Sequence, residues 1–271
     1  MQLSERAADA AATDADAPAI EVTDLHVAYG DLTVLERASL SIGPHEFVSL
    51  LGPSGCGKTT LLKVLGGLVE PTGGEVSVFG VSPDDARRQR SIGFVFQEAT
   101  LLPWRRASSN ARLLAEIVGG GAVDDARIAE LLKAVGLGGF EDSLPSQLSG
   151  GMQQRLAIVR ALALNPKLLL MDEPFAALDA LTRERLGEIL LDIWNAARPI
   201  VFVTHSIEEA AFLSDRVIVM SARPGRILAD VRVPLPRPRT HGLKETNEFF
   251  ETTRHLRRLV DEAQASGGAE L

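Results

Sequence analysis

The 271-residue chain has one cysteine, Cys56, and one tyrosine, Tyr29. A single cysteine excludes a disulfide within the chain, which fits a reducing compartment such as the cytoplasm. No uninterrupted apolar run approaches the roughly 18 residues of a membrane-spanning helix. The net charge of −8 argues against nonspecific nucleic-acid binding, which needs a basic field. The composition is otherwise that of a globular protein, with 45% hydrophobic and 24% charged residues.

The two ends of the chain differ in pattern from its middle. Residues 1–18 are rich in alanine and aspartate and lack a basic start followed by an apolar block, so we expect a disordered leader and not a secretory signal. The proline-rich stretch 234–238 is expected to end the compact region. Apolar residues at helical intervals beyond it predict an amphipathic helix in the tail, residues 236–271.

Short apolar or alternating runs give the middle of the chain an α/β pattern. Three runs predict an antiparallel sheet: residues 19–29, 38–42 and 75–79. Four runs predict parallel strands with polar residues at their carboxyl ends: residues 47–51, 92–96, 168–171 and 200–203. Residues 100–164 show helical spacing without strand patterns, which favours a helical insert between two strands of one sheet.

A glycine-rich segment between a predicted strand and a predicted helix carries the first functional motif. It consists of Gly52, Pro53, Ser54, Gly55, Cys56, Gly57, Lys58 and Thr59, followed by Thr60. A glycine turn lets backbone N–H groups converge on phosphate oxygens, and the amino terminus of a helix adds to the attraction. Lys58 can reach the β- and γ-phosphates, and the Thr59 hydroxyl can bind Mg²⁺. This phosphate loop, residues 52–59, predicts binding of a nucleoside triphosphate.

Two adjacent carboxylates follow the apolar run 168–171. Asp172 would lie beside a Mg²⁺ held by Thr59, and Glu173 could accept a proton from an attacking water. Acidic residues after strands are common in proteins, so this motif draws its weight from the phosphate loop. Together the two motifs predict nucleotide hydrolysis.

A third motif, residues 148–155, reads Leu-Ser-Gly-Gly-Met-Gln-Gln-Arg and is called the signature segment below. Ser149, Gly150 and Gly151 stand immediately before a helical pattern, where a capping hydroxyl and free N–H groups form a second anion site. The chain thus has two phosphate-recognising elements but only one phosphate-loop lysine. Later in the chain, Ser206 and Glu209 predict a capping box at the start of another helix.

The order of these motifs over residues 20–233 resembles that of ATP-binding cassette (ABC) proteins. The resemblance is carried by the phosphate loop, Gln97, the signature segment, Asp172-Glu173-Pro174, Leu178-Asp179 and His205. It implies an α/β fold: a P-loop NTPase (RecA-like) core with a mostly parallel sheet, an N-terminal antiparallel β subdomain and an inserted α-helical subdomain. The implied ATP-binding domain covers residues 19–235, with the helical subdomain at about residues 100–164.

In this family two copies pair head to tail, and the signature segment of one closes over the ATP of the other. The resemblance therefore implies that Ser149, Gly150 and Gly151 bind the γ-phosphate in the partner subunit. Asp179 matches the residue that crosses the dimer interface.

The resemblance also implies roles within one subunit. Gln97 would contact Mg²⁺ and the lytic water, and His205 would contact the γ-phosphate and help to orient Glu173. Tyr29 matches the aromatic residue that stacks on adenine, although a turn residue at a strand end is the alternative. Cys56 is interpreted as a small residue tolerated in the loop, since no neighbouring base marks it as a nucleophile.

A five-residue segment after Gln97, Leu101-Leu102-Pro103-Trp104-Arg105, resembles bacterial importers of nitrate, alkanesulfonates and taurine. Residues 175–183 and 221–227 resemble the same branch. The resemblance implies a separate membrane permease that contacts the surface near Trp104, unless Trp104 is a core residue, and a solute-binding protein in the same system. The subunit would then be peripheral at the cytoplasmic face of the plasma membrane. Residues 107–110 are smaller and more polar than is usual in the branch, which leaves the permease open, and no motif identifies the solute.

Three other classes share some of these motifs. A cassette ATPase that acts on DNA or ribosomes usually has a second cassette, long heptad arms or basic extensions, none of which is present. A P-loop kinase has no use for the signature segment. A regulatory cassette without turnover is disfavoured because Glu173 and His205 are both present.

Overall fold

The computed structural model of the chain describes residues 17–117, 125–194 and 196–265. Of the predicted leader, residues 1–18, the first 16 residues lie outside the described part of the chain. Nine strands are described: β1 (Ile20–Tyr29), β2 (Leu32–Ile42), β3 (Phe47–Leu51), β4 (Gly73–Val78), β5 (Ile92–Val95), β6 (Leu168–Asp172), β7 (Ile200–Val203), β8 (Arg216–Met220) and β9 (Ile227–Arg232). The described helices are α1 (Lys58–Leu65), α2 (Pro83–Arg88), α3 (Ala107–Ile117), α4 (Asp125–Ala134), α5 (Gly150–Leu162), α6 (Ala180–Trp194), α7 (Ile207–Leu213) and α8 (Asn247–Ala265). Short 3₁₀ helices lie at Pro145–Gln147 and His241–Glu245.

The larger sheet has six strands in the order β5-β6-β7-β3-β8-β9. Its first five strands pair in parallel, and β9 pairs antiparallel with β8. The four predicted parallel strands are confirmed, and residues 223–225 lie in the hairpin turn between β8 and β9. The buried strands β3 and β6 are apolar except for Ser49 and Asp172, because helices or a second sheet cover both faces.

Alternate residues of the large-sheet strands enter two separate hydrophobic cores. Phe47, Leu169 and Phe202 face the core that contains α3 to α8, whereas Val48 and Leu170 face the core shared with α1 and the smaller sheet. This period of two follows from the pleat of a strand. The large sheet is therefore the middle layer, and its carboxyl edge is where the polar motif residues meet.

The smaller sheet is antiparallel, in the order β2-β1-β4, as predicted. Strand β2 begins at Leu32, six residues before the predicted start at Ala38, because a tight turn at Gly30 (φ 58°) pairs Leu32 with Tyr29 directly. Glu36 and Arg37, the latter with a left-handed backbone (φ 52°), interrupt the apolar pattern between the buried Leu35 and Ala38.

Between β5 and β6 the described residues form helices α3, α4 and α5 and one 3₁₀ turn, without a strand. Helix α3 packs against α5, which also contacts β5. Within the described residues, no helix is both long and apolar enough to cross a bilayer.

The stretch after β9 stays packed, in contrast to the expectation that residues 234–238 end the compact region. Leu235 and Arg239 are 5% exposed, and Arg239 donates hydrogen bonds to the carbonyls of Phe212 and Ser214 at the end of α7. The prolines of this stretch predict an end to the compact region, but the arginines between and after them satisfy carbonyls at the carboxyl end of a helix. The predicted tail helix is α8, which buries Phe249 and Leu256 in the larger core.

Candidate nucleotide site

The phosphate loop joins the buried strand β3 to helix α1, at the carboxyl edge of the large sheet. Gly57 is the N-cap of α1 and has a left-handed backbone, with φ 99°. A Cβ atom at this position would lie 2.6 Å from the Leu35 Cδ2 atom of the smaller sheet. Only glycine fits both the conformation and the space, so the loop has room to turn its N–H groups inward.

Lys58 begins α1, and its side chain folds back over the loop. Its ammonium donates hydrogen bonds to the carbonyl oxygens of Gly52 (2.9 Å) and Pro53 (2.8 Å). The residue is only 5% exposed. None of the ion pairs formed by the described residues involves Lys58. A buried cation held by neutral carbonyls favours an anionic ligand.

Cys56, in the same loop, is buried, with its sulfur 3.7 Å from the Lys58 ammonium nitrogen. The side chain therefore packs behind the backbone that would face phosphate.

Thr59 and Asp172 meet across the gap between α1 and β6. The Thr59 hydroxyl donates a 3.0 Å hydrogen bond to Asp172 Oδ1. Burial raises the pKa of the Asp172 carboxyl above its ordinary value, and the Thr59 hydrogen bond opposes that rise. A nearly buried carboxylate beside a hydroxyl is an oxygen donor set of the kind that Mg²⁺ takes together with substrate phosphates.

Glu173 and His205 lie at the ends of the neighbouring strands β6 and β7. His205 Nε2 is 2.8 Å from Glu173 Oε1, and the Glu173 backbone N–H still donates to the Val203 carbonyl (3.0 Å). The pair borders a cavity of about 300 Å³ that is also lined by Thr204, Arg183 and Glu209. The structure thus brings together the predicted base and its predicted partner beside space for small molecules.

Gln97 is exposed, just beyond β5 at the same edge of the sheet. Its loop is held by helix α5: Gln154 Nε2 donates to the Phe96 carbonyl (3.0 Å), and Arg160 donates to the carbonyls of Ala99 (2.8 Å) and Thr100 (2.7 Å). The contact of Gln97 with Mg²⁺ stays a prediction.

Ser149 is the N-cap of α5, and its hydroxyl accepts a hydrogen bond from the Met152 backbone N–H (3.3 Å). Ser149 and Gly150 are exposed, whereas Gly151 lies close to Leu178 of the same chain. Among the described residues no hydrogen bond joins the signature segment to the phosphate loop. Within one subunit, the two predicted anion sites are therefore separate.

The remaining predicted contacts lie at the edge of the site. The Asp179 carboxylate accepts a hydrogen bond from the Thr182 backbone N–H (2.9 Å), which holds the pKa of Asp179 below its ordinary value. Tyr29 ends β1 and is 52% exposed, on the sheet that packs against Gly57 through Leu35. An exposed ring beside the loop is compatible with adenine stacking, which stays a prediction.

The predicted capping box at α7 forms only in part. Glu209 N–H donates to the Ser206 hydroxyl (3.2 Å), as expected. The Glu209 carboxylate does not return to the Ser206 N–H: it accepts from the Thr204 hydroxyl (2.5 Å), which in turn accepts from the Ser206 N–H (3.0 Å). The prediction of a reciprocal box is wrong because the Thr204 hydroxyl stands between the two groups.

Three residues that position the site were not identified from the sequence. Arg223 donates from two nitrogens to the Gly55 carbonyl in the phosphate loop (3.2 Å each), Arg160 holds the Gln97 loop, and Asn110 holds the loop around Trp104. Arg160 and Asn110 are charged or polar residues on the apolar faces of helices, a pattern that often marks buried polar contacts. Arg223 lies 168 residues from Gly55, and no local pattern joins them.

Comparison with known proteins gives consistent matches. A family model described as ABC transporter matches residues 35–176. An aliphatic sulfonates import ATP-binding protein of Pseudomonas aeruginosa is 46% identical over 225 residues, which cover 81% of this chain and 89% of the relative. A taurine import ATP-binding protein of Pseudomonas savastanoi is 40% identical over 230 residues, which cover 82% and 87% of the two chains. The structure of a dimeric ATP-binding cassette in a post-hydrolysis state, bound to ADP and Pi, matches with a TM-score of 0.72 and 34% identity, covering 80% of this chain and 100% of the other.

Proposed function

The chain belongs to the ABC transporter family and is an ATPase, and from this premise we propose that it energises a bacterial importer of a small anionic solute. The observation that carries the importer proposal is the surface around Trp104, together with the similarity to import ATP-binding proteins. The proposed solute is of the sulfonate, taurine or nitrate type. The solute passes through a separate permease, so the class of solute rests on the relatives alone.

Trp104 is 73% exposed, which disfavours the alternative of a core tryptophan. The loop that presents it is held from behind by Asn110, which is fully buried at the start of α3. The Asn110 amide accepts from the Leu102 N–H (2.8 Å) and donates to the carbonyls of Leu102 (3.1 Å) and Arg105 (2.8 Å). An exposed tryptophan on a fixed loop is the kind of rigid aromatic anchor that protein interfaces use.

The mechanism follows from the geometry of the carboxyl edge. The phosphate loop and Lys58 hold the triphosphate, and Glu173 accepts the proton of the attacking water while His205 orients the Glu173 carboxylate. Thr59 and Asp172, with Gln97 nearby, would hold Mg²⁺. The ion, when bound, neutralises charge that develops on the phosphoryl oxygens.

The exposed signature segment supports a head-to-tail pair of identical subunits. Ser149, Gly150 and Gly151 would bind the γ-phosphate held by Lys58 of the other copy, and Asp179 would cross between them. Closure on two ATP molecules and reopening after hydrolysis would then move the attached permease. The proposed ATP-binding domain covers residues 19–235, with a helical subdomain at about residues 100–164. The proposed subunit is peripheral, on the cytoplasmic face of the membrane, and works with a solute-binding protein in the same system.

The proposal is tested by purifying the tagged chain from its own cells in mild detergent. We expect an integral-membrane permease to co-purify, and we expect cells that lack the chain to lose uptake of labelled taurine, an alkanesulfonate or nitrate. Uptake should return with the wild-type chain. Recovery of an active ATPase without any membrane protein, and uptake unaffected by its deletion, would contradict the importer role and favour an ATPase without a transport function.

A further inference from the structure

A half-buried carboxylate, that of Glu209, lines the same cavity as the Glu173–His205 pair. The Glu209 carboxylate accepts the Thr204 hydroxyl hydrogen at 2.5 Å. The same Thr204 oxygen accepts the Ser206 backbone N–H at 3.0 Å. The backbone on both sides of His205 is therefore tied to one carboxylate.

The second link runs from Glu209 to the segment before α6. Arg183 Nη2 donates to the Leu178 carbonyl at 3.0 Å, and Arg183 Nε lies 3.4 Å from Glu209 Oε1. That Nε atom is buried and has no hydrogen-bond partner among the described residues. A small shift of either side chain would complete the contact. Leu178 also lies beside Gly151 of the signature segment and precedes Asp179.

A charge in this place is costly for stability alone. Burial raises the pKa of the Glu209 carboxyl, opposed by the Thr204 hydrogen bond and by Arg183 and Lys244, while Glu173 adds to the rise. A neutral glutamine could accept the same hydroxyl hydrogen without that cost. The cap of α7 is already supplied by Ser206. Capping does not explain a charged group here, whereas a link to Arg183 does.

We propose that Arg183, Glu209 and Thr204 are positioning residues that transmit the state of the Leu178–Asp179 segment to the His205 turn. The inference rests on the proposed pairing of two subunits, since Asp179 is the residue that would meet the partner. When the partner closes on this segment, Arg183 moves towards Glu209. Thr204 then fixes His205 against Glu173. Hydrolysis is thereby favoured in the closed pair.

Matched variants separate this role from a structural one. Thr204→Val removes the hydroxyl and keeps the shape, while Thr204→Ser keeps the hydroxyl. Glu209→Gln and Arg183→Gln remove the charges, with the exposed neighbours Glu208→Gln and Arg185→Gln as controls.

We expect Thr204→Val, Glu209→Gln and Arg183→Gln to lower kcat for ATP by roughly ten- to a hundredfold with KM unchanged, because misplaced groups lose rate and not binding. Thr204→Ser and both controls should keep the native rate. The Arg183→Gln, Glu209→Gln double variant should be no slower than the slower single variant, because both changes break the same link. Equal rates for Thr204→Val and Thr204→Ser, or multiplied losses in the double variant, would overturn the proposal.

A second measurement does not depend on turnover. The ring signal of His205 can be followed by NMR in the nucleotide-bound full-length chain and assigned by its loss in His205→Ala. We expect it to shift or broaden in Arg183→Gln and Thr204→Val, and to stay in place in Arg185→Gln and Thr204→Ser. An unchanged His205 signal in Arg183→Gln sinks the link even if the protein is an active importer ATPase. A changed His205 signal in a chain that never forms dimers would contradict the proposed pairing of two subunits. The proposed contact from Arg183 through Glu209 to Thr204 would still stand.

Discussion

Glu173 has a backbone conformation that is uncommon for a residue with a side chain. Its φ is 45°, at the point where β6 leaves the sheet, and its N–H remains bonded to the Val203 carbonyl. Left-handed non-glycine residues carry strain and occur often at functional sites. Here the strain accompanies a carboxylate that lies 2.8 Å from His205.

We predict that Glu173→Gln lowers the rate of ATP hydrolysis by about a thousandfold, because glutamine keeps the shape but cannot accept a proton. Nucleotide affinity should remain, since Lys58 and the phosphate loop are untouched, and ATP should trap a dimer. Turnover assays, equilibrium binding and sedimentation measure the three effects, with Lys58→Ala as the variant that loses binding. A native hydrolysis rate would remove Glu173 as the base.

The hairpin between β8 and β9 supports the phosphate loop from behind. A Cβ atom on Gly225 would lie 2.0 Å from the Cys56 carbonyl oxygen, and Gly225 N–H donates to the Val34 carbonyl (2.8 Å). The hairpin, the loop and the smaller sheet are therefore packed without spare room.

Gly225→Ala should destabilise the protein by about 1–3 kcal/mol, the usual cost of overpacking, and weaken ATP binding by displacing the loop. Thermal unfolding and nucleotide titration measure both effects. Gly242→Ala is the matched control, since nothing lies within 4 Å of its added Cβ. Equal behaviour of the two variants would show that the loop does not depend on this contact.

At the scale of elements, the sequence predicts the parallel strands and the helical insert because apolar runs and helical spacing are local signals. It also predicts which residues end at the sheet's carboxyl edge, and the structure brings Thr59 to Asp172 and His205 to Glu173. It misses the early start of β2 because the polar Glu36 and Arg37 separate the apolar residues Val34 and Leu35 from the run that begins at Ala38.

What holds the elements together is less visible in the sequence. Arg160, Arg183 and Arg239 act over long sequence separations, and a buried arginine looks the same as an exposed one until the fold is known. The packing of the tail against α7 depends on such contacts. Arg239 donates to carbonyls at the end of that helix, and burial lowers its pKa to about 10.

We therefore predict that Arg239→Met destabilises the protein by about 3 kcal/mol, because carbonyls at the end of α7 lose their donors while remaining buried. Chemical denaturation of the full-length chain measures the loss. The exposed Arg232→Met provides the control. A loss of unfolding free energy smaller than that of Arg232→Met would mean that water replaces the arginine as the donor to these carbonyls.

At the scale of the whole molecule, the nucleotide residues and the proposed docking surface occupy adjoining regions. The carboxyl edge carries the nucleotide residues, and the helical insert carries the exposed Trp104 on a loop adjoining that of Gln97. Arg160 joins these regions, because it bonds Thr100 immediately before the Trp104 loop.

Trp104→Ala should reduce the amount of permease that co-purifies with the chain by at least about tenfold, the effect of losing a buried aromatic anchor. Leu228→Ala, an exposed apolar residue on β9, should retain the permease. Quantitative comparison of the detergent-extracted complexes measures the ratio. Full retention by Trp104→Ala would place the docking surface elsewhere on the subunit.

Helix α5 is capped by Ser149 and, one to three turns later, holds the Gln97 loop through Gln154 and Arg160. In a head-to-tail pair, the first turn of α5 would contact the nucleotide held by the partner subunit. The middle of the same helix holds the loop of Gln97 in its own subunit. The two ATP sites would then be coupled through one helix in each subunit, and neither subunit would hydrolyse ATP without its partner.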